Sequence, residues 1–83
     1  MKRHFILDPL STAERIKSLS IKNNTTAKDI QKALNLSDVQ AVYKWFDGTN
    51  MPTIDHLVML SDLWDVPVDE IVCKRSVKHG EQN

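Results

Sequence analysis

The chain has 83 residues, enough for one core and no second domain. Hydrophobic residues make up 41% and charged residues 27%, the usual mixture for a soluble globular protein, and no apolar run approaches the ~20 residues that a membrane span needs. Eleven Lys and Arg balance eleven Asp and Glu, which excludes the overall basic surplus common among nucleic-acid binders. The charge is nevertheless uneven along the chain. Residues 1–50 carry eight basic and five acidic side chains, residues 51–73 five acidic and no basic ones, and residues 74–83 a net +2.

Taken in chain order, the sequence predicts an N-terminal arm over residues 1–10, an all-α body over 11–73 and a disordered basic tail over 74–83. In the arm, the basic start is followed by only three apolar residues, Phe5, Ile6 and Leu7, before Asp8-Pro9. That is too short for a signal peptide, so the expected location is the cytoplasm. Residues 4–7 either pack on the core or form a short edge strand. The first helix is expected from about Ser11 to Asn23. Ser11 with Glu14 makes a capping box, while Asp8 as cap with Pro9 in the first helical position is the other possible start. Leu10, Ala13, Ile16 and Leu19 fall on one stripe. The second helix is expected over Ala27 to Leu34, capped by Thr26, with Ile30 and Leu34 inward.

After Asn35, suited to a left-handed helix end, Ser37 is expected to cap a third helix with Gln40 as its capping-box partner. That helix should run from about Asp38 to Phe46, with Val42 and Trp45 inward. A polar loop over 47–52 leads to the Thr53 cap of a fourth helix reaching Trp64, with Ile54, Leu57 and Leu60 buried. Asp65-Val66-Pro67 breaks it, and a short fifth helix covers Val68 to Cys73. Cys73, the single cysteine, has no internal disulfide partner and fits a reducing compartment as an ordinary small residue.

Two short helices joined by a tight turn inside a five-helix body are the geometry that presents a helix to a major groove. The stretch Ile16 to Val72 resembles the lambda-repressor-like, Cro-type (Xre) helix-turn-helix family. The matching residues are Ile16-Lys17-Ser18-Leu19, Thr26-Ala27-Lys28-Asp29-Ile30 and Val42-Tyr43-Lys44-Trp45 before Gly48. Pro52-Thr53-Ile54-Asp55-His56-Leu57 and Val66-Pro67-Val68-Asp69-Glu70-Ile71 complete them. Several positions depart from the family pattern. Gln31 stands where a small residue is usual, Asn35 where the turn has glycine, Ala27 where a glutamine grips phosphate and Phe46 where an acidic residue is usual. The connection from Asn35 to Val42 is one residue longer than in most members.

The resemblance implies that Asp38, Val39, Gln40, Tyr43 and Lys44 face the major groove. Gln40 would read adenine and Lys44 guanine, and Asp38 either accepts from cytosine or steadies the helix start. Thr26, Lys28, Ser37, Thr49 and Asn50 would lie along the phosphates. Each has a plainer reading beside it. Gln40 serves as a cap partner, Lys44 as a solvated lysine, and Tyr43 packs on a neighbouring helix or subunit. Trp45 belongs to the core and Trp64 to the core or a dimer surface, while Phe46 is an exposed oddity or an interface residue.

Enzymatic readings find no inventory. His4, His56 and His79 are far apart and none has metal-ligand spacing with Cys73. Asp55 and His56, as helical neighbours, point different ways, and no Gly-rich phosphate loop is present. Asp62, Asp65, Asp69 and Glu70 lack the spacing of a calcium loop and read as a solvated acidic face.

The sequence therefore predicts an all-α, lambda-repressor-like DNA-binding domain. Its expected role is a transcriptional regulator, a repressor of the kind found in bacteria, phages or mobile elements, that binds double-stranded DNA as a homodimer on a two-fold operator. No cofactor, metal, membrane or small-molecule ligand is expected. The rival reading is a protein-interaction module on the same fold, an antitoxin-like partner binder. A basic surface at the front of the third helix would favour DNA, and a neutral one with an apolar patch a protein partner.

Overall fold

Asp8 begins the helical part of the chain. Its extended backbone places Oδ1 where it accepts the Ser11 N–H at 3.2 Å, and Pro9 fills the first helical position, where a missing N–H costs nothing. In the computed structural model, which describes the backbone of residues 4–77 and the side chains of residues 6–74, α1 accordingly runs Pro9–Lys22. Of the two possible starts the Asp8 cap is the one formed. The Ser11–Glu14 capping box is not, because the N–H of Ser11 is already taken.

The buried stripe of α1 is Thr12, Ala13, Ile16 and Ser20, with Leu19 half-buried. Leu10, expected on that stripe, is 66% exposed. Two hydroxyl residues are taken inside instead, and each has a partner there. Thr12 Oγ1 accepts the Cys73 N–H at 2.9 Å, and the Ser20 hydroxyl donates to the Thr25 carbonyl. A buried hydroxyl with a partner avoids the desolvation cost that would otherwise expel it.

The remaining helices are α2 Ala27–Ala33, α3 Gln40–Asp47, α4 Ile54–Trp64 and α5 Val68–Ile71. Thr53 caps α4 by accepting the His56 N–H, as the sequence predicts. Leu57, Leu60 and Trp64 are buried, but Ile54 is 71% exposed. At ~100° per residue Ile54 stands about a quarter-turn off the line of those three, which overrides its hydrophobicity. α5 ends two residues earlier than expected, because Val72 turns extended and leads the chain out of the helix.

One core joins these helices. Ile16, Ala27, Ile30, Leu34, Val42, Trp45, Leu57, Leu60, Trp64 and Ile71 form a single buried cluster. Polar links tie its edges. Trp64 Nε1 donates to Thr25 Oγ1 at 3.0 Å, joining α4 to the end of α1, and Arg15 donates to the Glu70 carbonyl at 2.6 Å, joining α1 to α5.

Three helix ends close in the same way. Asn24, Asn35 and Asp65 take left-handed φ values of 56°, 56° and 55°. In each case the next residue's N–H returns to a carbonyl five residues back: Thr25 to Ser20, Leu36 to Gln31 and Val66 to Ser61. The side chain of that earlier residue, Ser20, Gln31 or Ser61, then donates to the later residue's carbonyl. Asn and Asp tolerate the left-handed turn, and the doubled link satisfies carbonyls that the helix end leaves open.

Two short strands complete the fold. β1 His4–Leu7 and β2 Lys74–Val77 pair antiparallel, with His4 opposite Val77, Phe5 opposite Ser76, Ile6 opposite Arg75 and Leu7 opposite Lys74. Of the two readings of residues 4–7, the edge strand is the one observed. Residues 74–77, expected to be disordered, are its partner strand, and the expected disorder of 78–83 falls outside the described residues. The ribbon is rooted where the Asp8 N–H donates to the Cys73 carbonyl at 2.8 Å, beside the Cys73–Thr12 bond.

Candidate nucleic-acid interface

The face presented by α2 and α3 follows from how each helix starts. Thr26 caps α2 by a reciprocal pair: Thr26 Oγ1 accepts the Asp29 N–H at 3.1 Å and Asp29 Oδ2 accepts the Thr26 N–H at 2.9 Å. The Thr26 backbone bond, then its hydroxyl, hold the Asp29 carboxyl below its ordinary value. An ionised carboxylate thus occupies the start of α2. The Thr-x-x-Asp spacing carries this signal, which the sequence reading used only for Thr26.

The link from α2 to α3, over residues 34–39, is longer than the expected tight turn. α2 closes at Asn35, where the Gln31 side chain donates to the Leu36 carbonyl at 3.2 Å. α3 then begins at Gln40 rather than Asp38. Ser37 does not cap it and no Ser37–Gln40 capping box forms. Instead Asp38 Oδ1 accepts the Gln40 N–H at 2.9 Å, as carboxylates do two residues ahead of themselves, and the Val39 carbonyl accepts from Val42 and Tyr43.

On α3 the inward residues are Val42 and Trp45, as predicted, and Trp45 lies tilted against the His56 ring at 5.3 Å. Outward stand Gln40, Tyr43, Lys44 and Asp47, all exposed, with Asp38 exposed just before them. Val39 differs from the other base-contact candidates: it is half-buried and packs against the core. Tyr43 is 50% exposed and meets the half-buried Phe46 edge-on, with ring centroids 6.3 Å apart. Phe46 is thus anchored at the core's rim and carries Tyr43 beside it.

The phosphate-contact candidates Thr26, Lys28, Ser37, Thr49 and Asn50 are all exposed. α3 ends at Gly48, whose φ of 82° favours glycine. Beyond it the Thr49 N–H donates to Asp47 Oδ1 at 2.8 Å, and the Asn50 N–H to the Lys44 carbonyl at 3.3 Å. The Thr49 hydroxyl first, then its N–H, hold the Asp47 carboxyl below its ordinary value. Across α2, the link and α3, three lysines (28, 32 and 44) are therefore matched by three aspartates (29, 38 and 47).

One apolar feature adjoins this face. A groove of about 400 Å³ lies between the end of α1, the start of α2 and α3, lined among others by Lys17, Ile21, Ala27, Tyr43 and Phe46. Ile21, 71% exposed, is the residue that sequence reasoning passed over. Its signal was available: it stands next to the Ala13–Ile16–Ser20 stripe and has no place on it.

Among the described residues no group of three His, Cys, Asp or Glu side chains could hold a metal ion, and no helix is long and apolar enough to cross a membrane. His56 Nδ1 is 3.2 Å from Thr53 Oγ1, within the α4 cap. Compared with family models, curated proteins and solved structures, the chain matches none.

Proposed function

We propose that this protein is a DNA-binding transcriptional regulator of the lambda-repressor-like kind, a repressor that reads a major groove with α3 as a homodimer on a two-fold operator. One observation carries the reading. α3 is held from behind by buried Val42 and Trp45, directly after a short α2 with a fixed left-handed end, while Gln40, Tyr43 and Lys44 stand out from its other side. A braced helix with a projecting polar row is what groove reading requires. Gln40 forms no capping box with Ser37, its own N–H going to Asp38 Oδ1 instead, so its amide is available for an adenine edge. A single short helix gives little affinity alone, which favours two copies on the DNA.

A second reading has its own support. The charge balance around α3 and the apolar groove beside Tyr43 fit a protein partner, in which case the chain is an antitoxin-like interaction module on the same fold. Selection of duplexes from a random pool, followed by titration of the selected site and a random duplex, separates the two. On the DNA reading, Gln40→Ala and Lys44→Ala each cost about 1–3 kcal/mol on the selected site and little on random DNA, whereas Lys28→Ala weakens both alike. A parent protein without salt-dependent DNA affinity overturns the regulator reading and leaves the interaction module.

A further inference from the structure

The end of α4 breaks a rule that the three helices before it keep. α1, α2 and α3 each carry a lysine in the last turn, Lys22, Lys32 and Lys44, where a cation suits the negative end of the helix dipole. α4 has no basic residue there. Asp62 lies in its last turn and Asp65 is its cap. Both are exposed, and residues 51–73 contain no Lys or Arg. Among the described residues neither carboxylate has a hydrogen-bond or ion-pair partner. The turn itself does not call for the charge, since Asn24 and Asn35 make the same left-handed closure with a neutral side chain. Two negative charges thus stand at the negative end of a helix with no cation beside them.

A groove adjoins these carboxylates. Its space of about 390 Å³ is lined by Val58, Ser61, Asp62, Asp65, Val66 and Pro67. The floor is fixed: Val66 packs against the core, and it is tied to Ser61 through both backbone and hydroxyl. Along α4, Ile54, Val58 and Asp62 follow one another at four-residue spacing, which sets them on one line leading into the groove. Ile54 and Val58 are 71% and 56% exposed. The stripe is therefore apolar at one end and doubly acidic at the other, over roughly three helical turns. None of the groove's residues belongs to α2 or α3, so the stripe is separate from the row of Gln40, Tyr43 and Lys44.

Exposed apolar side chains beside carboxylates that lack a cation are complementary to a partner bringing both apolar area and positive charge. We propose that the stripe Ile54–Val58–Asp62–Asp65 docks a basic amphipathic helix of a partner protein. Apolar residues of that helix cover Ile54 and Val58. One of its Arg or Lys side chains lays its aliphatic stem on Val58 and Pro67 and brings its charged head to Asp62 and Asp65. A second copy of the same stripe supplies no cation, so self-association would leave the carboxylates unmatched. The surface goes beyond the DNA reading and stands whichever role α3 has.

The test uses the full chain. Its probe is a fluorescein-labelled synthetic helical peptide with Leu and Arg on one face, beside versions in which Glu replaces Arg or Ser replaces Leu. The variants are Asp62→Asn with Asp65→Asn, and Val58→Ser. Asp69→Asn with Glu70→Gln is the control, removing equal charge from exposed side chains outside the groove. Anisotropy gives binding, thermal melts give stability and sedimentation gives oligomeric state. The Leu/Arg peptide is expected to bind the parent, to lose roughly tenfold in affinity with the Asp62/Asp65 variant and to weaken with Val58→Ser, while the control changes it less than about twofold. The Glu and Ser peptides are expected to bind more weakly than the Leu/Arg peptide. The Asp62/Asp65 variant is expected to melt no lower than the parent, because the charges it removes oppose the helix dipole. Equal losses in the two double variants, or a Ser peptide that binds as tightly, would reduce the effect to net charge and overturn the proposal. A lower melting temperature would give the carboxylates a structural duty and overturn it too. A parent dimer that Val58→Ser turns to monomer would mean that a second copy covers the stripe. A parent that binds no Leu/Arg peptide overturns the docking surface and leaves the DNA reading untouched.

Discussion

The helical body and the ribbon are ordered by different means. The body is held by a single apolar cluster into which α1 to α5 all place side chains, with buried hydroxyls and turn carbonyls satisfied at its rim. The ribbon leans on a backbone ladder four residues long and leaves Ile6 and Leu7 half exposed, at 43% and 44%. A two-stranded pair of that length has little stability of its own in water, so its order depends on its root at Asp8, Thr12 and Cys73. The two regions also differ in sign of charge, the body negative and the ribbon positive. What this teaches is that burial is concentrated in one region: the body specifies the fold, and the ribbon takes its order from the body.

The largest test of that separation is Trp45→Ala. Removing the 4% exposed indole from between α3 and α4 should cost about 3–5 kcal/mol, read as a fall in the urea midpoint. A loss under ~1 kcal/mol would mean that α3 is not braced by this residue and that the body is not held by one cluster. Next comes the seam between the two regions. Thr12→Val keeps the shape but leaves the Cys73 N–H without its acceptor, which should cost about 1–3 kcal/mol and speed hydrogen exchange at Cys73 and Asp8. An unchanged exchange rate there would show the seam to be passive.

Smaller still is the loss of β2. A chain ending at Cys73 keeps the whole apolar cluster and both root hydrogen bonds. It should fold with the parent's helical circular dichroism and lose no more than about 1 kcal/mol. Failure to fold would collapse the distinction between body and ribbon. The smallest effect is electrostatic and belongs to the α2 cap. Asp29 is held below its ordinary value by Thr26, so its contribution is present above the unfolded carboxylate value near ~4 and fades as pH falls through the lower folded value. Asp29→Ala should therefore flatten the acid limb of a stability profile measured below about pH 4, while leaving its slope above that unchanged. An identical limb in both proteins would show that the Thr26–Asp29 pair contributes nothing measurable.

Much of this molecule is fixed by local chemistry, and those parts are legible in the residues. The Thr26 and Thr53 caps, the left-handed Asn35, the break at Pro67 and the inward pair Val42 and Trp45 depend on neighbours within a turn or two, and each stands where the sequence puts it. Other features were decided by partners distant in the chain. Thr12 and Ser20 are inside while Leu10 and Ile54 are outside, because burial depends on which side of a helix meets the core and on whether a hydroxyl finds a partner there. α3 starts at Gln40 rather than Asp38 because the Gln40 N–H goes to Asp38 Oδ1 and not to Ser37, an outcome that spacing alone leaves undecided. The candidate face divides in the same way: periodicity sets Gln40, Tyr43 and Lys44 outward, but only packing draws Val39 toward the core and leaves Ile21 beside Tyr43. The ribbon is the clearest case. Residues 4–7 read as a possible edge strand, but nothing local marks residues 74–77, some seventy positions away, as the partner, and the pairing exists only once the chain has closed on itself.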